Sequence, residues 1–351
     1  MIEDDYIIDR RDPILITGAN GFIGSRVAET LFEYGFKSLR CFVRPSSNIT
    51  ALKRMSETSE GNRIRIIEGN LVSPKDCEKA TDGVSMVYHL AAAMRDKSFP
   101  GAFLNCVVVT KRLLEATLKY RSLKRFVNVS SFTVYSNMKL RRGSLLDESC
   151  EIENQPELRG EAYCYAKVRQ DELVMDYGRK HGIPYVIVRP GVVYGPGRKT
   201  ISGRIGIDTF GIFLHIGGSN RIPLTYVENC AEAIVLAGLK KGVEGEIFNI
   251  VDDDIPTSRE FLKEYKKRVE DFKSVYVPRM ASYSLCYLWE KYSKWSGGQL
   301  PPVFNRKRWS SDWKGNRYSN EKAKRLLGWK PRITSEEGLQ QYFEYCKNPE
   351  I

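Results

Sequence analysis

The chain reads as an α/β protein built on a doubly wound, mostly parallel sheet of seven strands, with a smaller C-terminal lobe. Three observations carry that reading: seven short apolar runs rich in β-branched residues, helical stretches between them, and a Gly-rich turn directly after the first run. Each run is continuous rather than alternating, which suits strands covered on both faces, and parallel strands need the intervening helices as crossovers.

In chain order the runs are "ILITG" (14–18), "LRCFVR" (39–44), "IRIIEGN" (64–70), "VSMVYHLAA" (84–92), "KRFVNVSS" (124–131), "PYVIVRPG" (184–191) and "EIFNIVD" (246–252). Amphipathic "SRVAETLFEYG" follows the first run, "VVVTKRLLEATLKY" the fourth and "AKVRQDELVMDYGRK" precedes the sixth. Beyond about 255 the sequence turns helix-like and aromatic, and the Gly-rich segment 203–226 lacks strand rhythm. The expected division is a nucleotide domain over 1–191 plus 226–254 and a substrate lobe over 192–225 plus 255–351, the lobe lying over the carboxyl edge of the sheet. The aromatic stripe from Tyr283 to Trp295 reads as lobe core rather than a membrane contact.

Composition narrows the function. The net charge of +12, from 55 basic and 43 acidic residues, is spread along the chain rather than gathered in an arm, which argues against nucleic acid. No apolar run is long enough to span a bilayer, and the acidic N-terminus is no signal peptide, so a cytosolic protein is expected. Eight scattered cysteines without a Cys-x-x-Cys, and three histidines, indicate neither disulfides nor a metal site.

At the first strand's end "TGANGFIG" places Gly18, Gly21 and Gly24 at a strand-to-helix junction. Glycines there let a pyrophosphate approach backbone N–H groups at the positive end of a helix, so Gly18, Asn20, Gly21, Phe22, Ile23 and Gly24 are expected against a dinucleotide. A carboxylate at the end of the second strand would hold the ribose of NAD; Arg44 stands there instead, with Ser46 and Ser47 near, which favours the 2′-phosphate of NADP. Asn70 and Leu71 are placed toward the adenine, and Leu90, Ala91 and Ala92 bring small residues along the cofactor.

Tyr-x-x-x-Lys occurs at Tyr120, Tyr135, Tyr163, Tyr287 and Tyr318, so spacing alone selects nothing. Only Tyr163 follows a Ser-ended strand and opens a crossover helix. One helical turn puts Lys167 beside the Tyr163 hydroxyl, where its charge is expected to favour the phenolate; Ser131 would hold a carbinol oxygen by hydrogen bond.

Taken together, "TGANGFIG", "GNL", "VYHLAA", "VSSFTVY", "YCYAK", "RPGVVYGPG", "YVENCAEAI" and "SNEKAKRLLGWKP" resemble the extended short-chain dehydrogenase/reductase superfamily across nearly the whole chain. The resemblance implies a Rossmann fold, NADP (with NAD as the other option), a small-molecule substrate, a homodimer, and Ser131, Tyr163 and Lys167 as the catalytic set. It also sets Tyr163, Lys167, Pro190, Val192 and Val193 against the cofactor. Val192 replaces the Asn common in nucleotide-sugar epimerases and dehydratases, and Ile222 with Arg221 stands where those enzymes carry an Arg. The wording is closer to 3β-hydroxysteroid dehydrogenases, sterol decarboxylases and flavonoid reductases. The primary expectation is therefore an alcohol–ketone oxidoreductase; the alternatives are an epimerase, dehydratase or 4-ketoreductase in which Arg204 or Arg221 contacts phosphate, and an idle NADP sensor. Cys106, with Asn105 beside it, occupies the place of the family's helix Asn.

Overall fold

The computed structural model describes residues 6–58, 63–92, 96–297, 299 and 304–348. Both ends of the expected domain division, at 1–5 and 349–351, lie outside them.

Strands β1 (Ile14–Thr17), β2 (Ser38–Val43), β3 (Arg63–Glu68), β4 (Met86–His89), β5 (Arg125–Val129), β6 (Tyr185–Pro190) and β7 (Ile247–Ile250) form one sheet in the order β7-β6-β5-β4-β1-β2-β3. Every pairing is parallel. The continuous apolar runs follow from this. In β1, Ile14 and Ile16 pack with Val27, Ala28 and Leu31 on one side of the sheet, while Leu15 packs with Leu113 and Leu114 on the other. With both faces covered, no position is left for a polar residue to alternate into. The strand order reverses between β1 and β4, and this switch point, at the carboxyl ends of the strands, is where such sheets bind ligands.

The segment 203–226 departs from the expectation. Gly206–Thr209 and Ile212–His215 pair as an antiparallel hairpin, and Ser274–Tyr276 joins the second strand in parallel. Four-residue strands are too short to print a period of two. Their turn residues Phe210 and Gly211 both have positive φ, +50° and +73°, the backbone of a two-residue hairpin turn.

The aromatic stripe also divides. In the helix Arg279–Trp295, Tyr283 packs edge-on to Trp309 at 5.0 Å and Cys286 joins Trp309 and Trp313 in a small core. Leu285, Leu288, Tyr292 and Trp295 stand exposed. Reading the whole stripe as core was therefore correct for one face only, because a helix that caps a small lobe has only one face to bury.

Candidate active site

Over the switch point lies a cleft of about 1310 Å³, and its walls come from both the sheet edge and the lobe. Gly18, at φ +70°, turns the chain out of β1, and Gly21 caps a helix, Phe22–Glu33, that has no capping side chain. Its first-turn N–H groups are thus the free donors that an anion would meet. A Cβ on Gly24 would lie 2.1 Å from the Gly18 carbonyl oxygen, and one on Gly18 would lie 3.0 Å from the Ala91 nitrogen. The close approach of turn, helix and the β4 exit makes a shelf that only glycine permits, and its shape and donors fit a dinucleotide pyrophosphate.

Asn20, Phe22, Ile23, Arg44, Asn70, Leu71, Leu90, Ala91, Ala92, Pro190, Val192 and Val193 all line the same cleft. Arg44 is exposed at its rim and, among the described residues, has no acidic partner. Asn70 shapes its loop: its N–H donates to Asp76 at 2.8 Å and its Oδ1 accepts from Val72 at 3.0 Å.

Ser131 ends the β5 exit and caps the short turn Phe132–Val134, accepting from the Thr133 N–H at 3.3 Å. Tyr163 and Lys167 sit one turn apart in the first turns of the helix Ala162–His181, with Lys167 Nζ 5.9 Å from the Tyr163 ring centre. All three line the cleft. The electrostatics differ from the sequence expectation. Burial pushes the Tyr163 pKa up and Cys106 adds to the rise; a hydrogen bond with Ser131 and the charge of Arg198 oppose it without prevailing. The resting group is a phenol, not a phenolate, because desolvation of the anion outweighs the neighbouring charges. Burial likewise lowers the pKa of Lys167.

Behind this face the polar side chains are buried and wired together. Lys167 Nζ donates to Val129 O and to Gln170 Oε1, each at 2.8 Å, which leaves one N–H for the cleft. Gln170 Nε2 donates to Thr110 Oγ1 at 2.8 Å, and the Thr110 hydroxyl donates to Cys106 O at 2.5 Å. A hydroxyl has one proton, so His89 Nε2, 2.8 Å from Thr110 Oγ1, must carry the hydrogen there, and His89 Nδ1 accepts from Thr17 at 2.7 Å. Burial, aided by the charge of Lys167, pushes the pKa of His89 down to about 3, so the ring stays neutral and its tautomer fixed. One turn beyond Lys167, Asp171 accepts from Arg189 Nε at 3.1 Å and Nη2 at 3.0 Å, and from Asn128 at 3.1 Å. Arg189 continues to Tyr135, which donates to Asn249 at 2.7 Å.

A family model described as the NAD dependent epimerase/dehydratase family matches residues 14–251, from β1 to the exit of β7. The chain belongs to this family. Its relatives include the trifunctional UDP-glucose 4,6-dehydratase/UDP-4-keto-6-deoxy-D-glucose 3,5-epimerase/UDP-4-keto-L-rhamnose-reductase of Arabidopsis thaliana, 30% identical over 357 residues that cover 96% of this chain and 47% of that protein. This chain thus spans about half the length of that relative. The decarboxylating sterol-4-alpha-carboxylate 3-dehydrogenase of Saccharomyces cerevisiae is 26% identical over 357 residues, 94% of this chain and 96% of that one. The crystal structure of UDP-glucuronic acid 4-epimerase from Bacillus cereus with UDP-glucuronic acid and NAD superposes with a TM-score of 0.70 at 21% identity, covering 96% and 99% of the two chains, and so shares the fold.

Within this epimerase/dehydratase frame two sequence expectations change. Arg204 donates to Ser311 O at 2.8 Å and Arg221 to Ile255 O at 2.5 Å; both are engaged within the lobe and neither lines the cleft. On the lobe side the arginine that does is Arg198, whose Nε donates to Thr200 at 3.1 Å and which has no acidic partner among the described residues. The sequence reading passed over it, although it stands just after the quoted "RPGVVYGPG". Asn105 and Cys106 fall in a π-helical turn, Phe103–Val108, between the helices Phe99–Ala102 and Val109–Tyr120. The wider turn leaves Asn105 exposed in the cleft lining, 3.4 Å from Asp96, and buries Cys106 near Tyr163 and Lys167.

Proposed function

We propose that this protein is an NADP-preferring oxidoreductase that interconverts a secondary alcohol and a ketone on a partly apolar substrate. The observation that carries the reading is a cleft with a glycine shelf on one side, Ser131, Tyr163 and Lys167 between, and a largely apolar wall of Val192, Ile205, Leu224, Phe261 and Tyr342 on the other. We read 192–225 and 255–351 as the lobe that supplies this wall, and 1–191 plus 226–254 as the nucleotide domain.

Gly18, Gly21 and Gly24 would hold the pyrophosphate, Arg44 the 2′-phosphate, and Leu90, Ala91, Ala92, Pro190 and Val193 the body of the dinucleotide. When bound, the nicotinamide supplies or accepts the hydride. Ser131 holds the substrate oxygen by hydrogen bond. Tyr163, kept as a phenol by burial, gives its proton to that oxygen during ketone reduction. The remaining N–H of Lys167 faces the cleft, and its positive charge stabilises the phenolate left behind. In the opposite direction Tyr163 must first lose its proton, so alcohol oxidation should accelerate as pH rises. A rate of oxidation that is flat or falls with pH would remove Tyr163 as the base.

Arg44→Asp tests the cofactor assignment: preference should move from NADP toward NAD, and an unchanged ratio of kcat/KM values would refute it. A second reading, a nucleotide-sugar epimerase, dehydratase or 4-ketoreductase, is favoured by Arg198, an unneutralised guanidinium in the cleft suited to a diphosphate. NAD retained through purification supports that reading, whereas exchangeable NADPH consumed with a ketone supports the first. The proposal includes a homodimer in the cytosol, for which light scattering reads the mass directly.

A further inference from the structure

Ser131 and Tyr163 come from separate elements, and the backbone of one residue joins them. Thr133, in the turn Phe132–Val134, donates its N–H to Ser131 Oγ at 3.3 Å. That fills one lone pair of the hydroxyl and leaves its proton free for a substrate oxygen. On the other side of Thr133, its carbonyl accepts from Arg159 Nη1 at 2.7 Å and from the Cys164 thiol at 3.2 Å. Cys164 directly follows Tyr163 in the helix Ala162–His181. Thr133 is thereby tied to both reacting side chains, and Arg159 makes the shorter of the two bonds that hold its carbonyl.

Arg159 ends the short helical turn Pro156–Arg159 and is 1% exposed. It does not line the cleft, so it touches no substrate. Its Nε lies 2.5 Å from Glu161 Oε2 and its Nη2 3.6 Å from Asp312 Oδ1. Glu161 is the N-cap of the helix that carries Tyr163, and Asp312 stands on the lobe helix Arg306–Trp313. Arg308 lies 3.4 Å from Glu161 and 3.8 Å from Asp312, and Arg204 lies 3.9 Å from Asp312. The residues on either side of Arg204, Gly203 and Ile205, line the cleft. Burying a guanidinium is costly, and apolar contacts would join lobe to sheet at less cost. What they would lack is direction: the planar fork meets the turn, the helix start and the lobe at fixed angles.

We propose that Arg159 is a positioning residue for the reaction: it holds the Thr133 carbonyl, and through Thr133 the Ser131 hydroxyl, in register with Tyr163. The inference rests on the reading of Ser131 and Tyr163 as the reacting groups. Glu161 and Asp312 orient the guanidinium, Arg159 and Cys164 orient Thr133, and Thr133 orients Ser131. The lobe takes part twice. Besides Asp312, its Tyr318 stacks on Phe132 of the same turn, with ring centres 5.7 Å apart.

Amide hydrogen exchange and kinetics of Arg159→Met in the full chain test the proposal. The substitution leaves Arg308 and Arg204 facing Glu161 and Asp312, so neither carboxylate loses its last cation. The amides of Thr133, Val134 and Tyr135, all bonded within the turn, should exchange about tenfold faster while those of β5 keep their wild-type rates. For ketone reduction kcat should fall about 10²-fold, the cost of a misplacement of about 1 Å, while the dissociation constant for NADPH holds. In a Ser131→Ala background the same substitution should cost less than about twofold, since the hydroxyl that it positions is gone. Wild-type exchange in the turn overturns the proposal, as does exchange raised evenly along the whole chain or an equal loss of kcat in both backgrounds. If the wild type reduces no ketone, the reading of the site fails, and the exchange rates still decide whether Arg159 holds the turn. Should Arg159→Met not fold, Arg159→Lys carries the same test: it keeps the charge, but one ammonium cannot hold the Thr133 carbonyl and both carboxylates at once.

Discussion

The floor beneath the cleft and the outer helix of the lobe invert the usual rule in opposite senses. Under the cleft, Thr17, His89, Thr110, Lys167, Gln170, Asp171 and Arg189 are polar or charged, and none is more than 2% exposed. On the lobe, leucines and a tryptophan face water. Burying so many polar groups is tolerable because each link of two chains, Lys167–Gln170–Thr110–His89–Thr17 and Asp171–Arg189–Tyr135–Asn249, joins a donor to an acceptor, with Asn249 Nδ2 at the end of the second left without a partner. The outer residues of the lobe helix touch mainly one another, as Tyr292 and Trp295 do at 5.6 Å. The comparison teaches that departure from binary patterning takes two forms: polar groups inside, held in place by matched hydrogen bonds, and apolar groups outside, on a face that no other described part of the chain covers.

Substitutions should separate the two regions by the size of their effects. Tyr163→Phe heads the series: loss of the proton donor should lower kcat by about 10²–10⁴-fold while the dissociation constant for the dinucleotide holds, and measurable turnover near wild type would break the assignment. Asp171→Ala leaves Arg189 charged and without its buried partner, so urea unfolding should show a loss of about 3–5 kcal/mol.

Asp252, buried just past β7, accepts from the Tyr226 N–H at 2.6 Å and from Asn229 at 3.0 Å, yet burial pushes its pKa up to about 7. Because the folded pKa lies above the unfolded one, its contribution is fully present below about pH 4 and is lost as pH rises to about 7. Relative to Asp252→Asn, wild type should therefore lose up to about 4 kcal/mol across that window in denaturant titrations. A constant difference would mean that the carboxyl is ionised throughout.

Gln170→Leu removes one acceptor from Lys167 and one donor from Thr110, worth about 1–2 kcal/mol, or about tenfold in kcat if the ammonium is positioned by that contact. The effect should appear as a shifted pH profile rather than a changed KM. At the bottom of the scale, Leu288→Ser should move stability by less than about 0.5 kcal/mol despite the size of the side chain, because it is 60% exposed.

Much of the frame was legible from particular residues. The seven runs fall on the seven strands to within a few residues, since strands covered on both faces must be apolar throughout. The three glycines announce themselves by position, because only a strand-to-helix turn with a close approach needs them at that spacing. Other features left no local trace. Asp171 and Arg189 are separated by 17 residues, one on a helix and the other on the strand after it, and nothing in either neighbourhood says that they will meet. Arg198 and Arg204 look alike in sequence; Arg204 is held by the Ser311 carbonyl and lies 3.9 Å from the Asp312 carboxylate, whereas Arg198 has no acidic partner among the described residues. The π-helical turn that leaves Asn105 in the cleft lining and buries Cys106 behind it is a matter of a single residue of helical register.

By itself, then, the sequence determined the strands' raw material, the glycine shelf and the grouping of Ser131, Tyr163 and Lys167 along one cleft, because each depends on backbone geometry and short-range spacing. Only the tertiary structure decided that burial rather than Lys167 governs the proton on Tyr163, which of the lobe's arginines lines the cleft, and which side of the Tyr283–Trp295 stripe is core. Desolvation and partner choice depend on residues distant in the chain, and no local pattern encodes which of them will arrive.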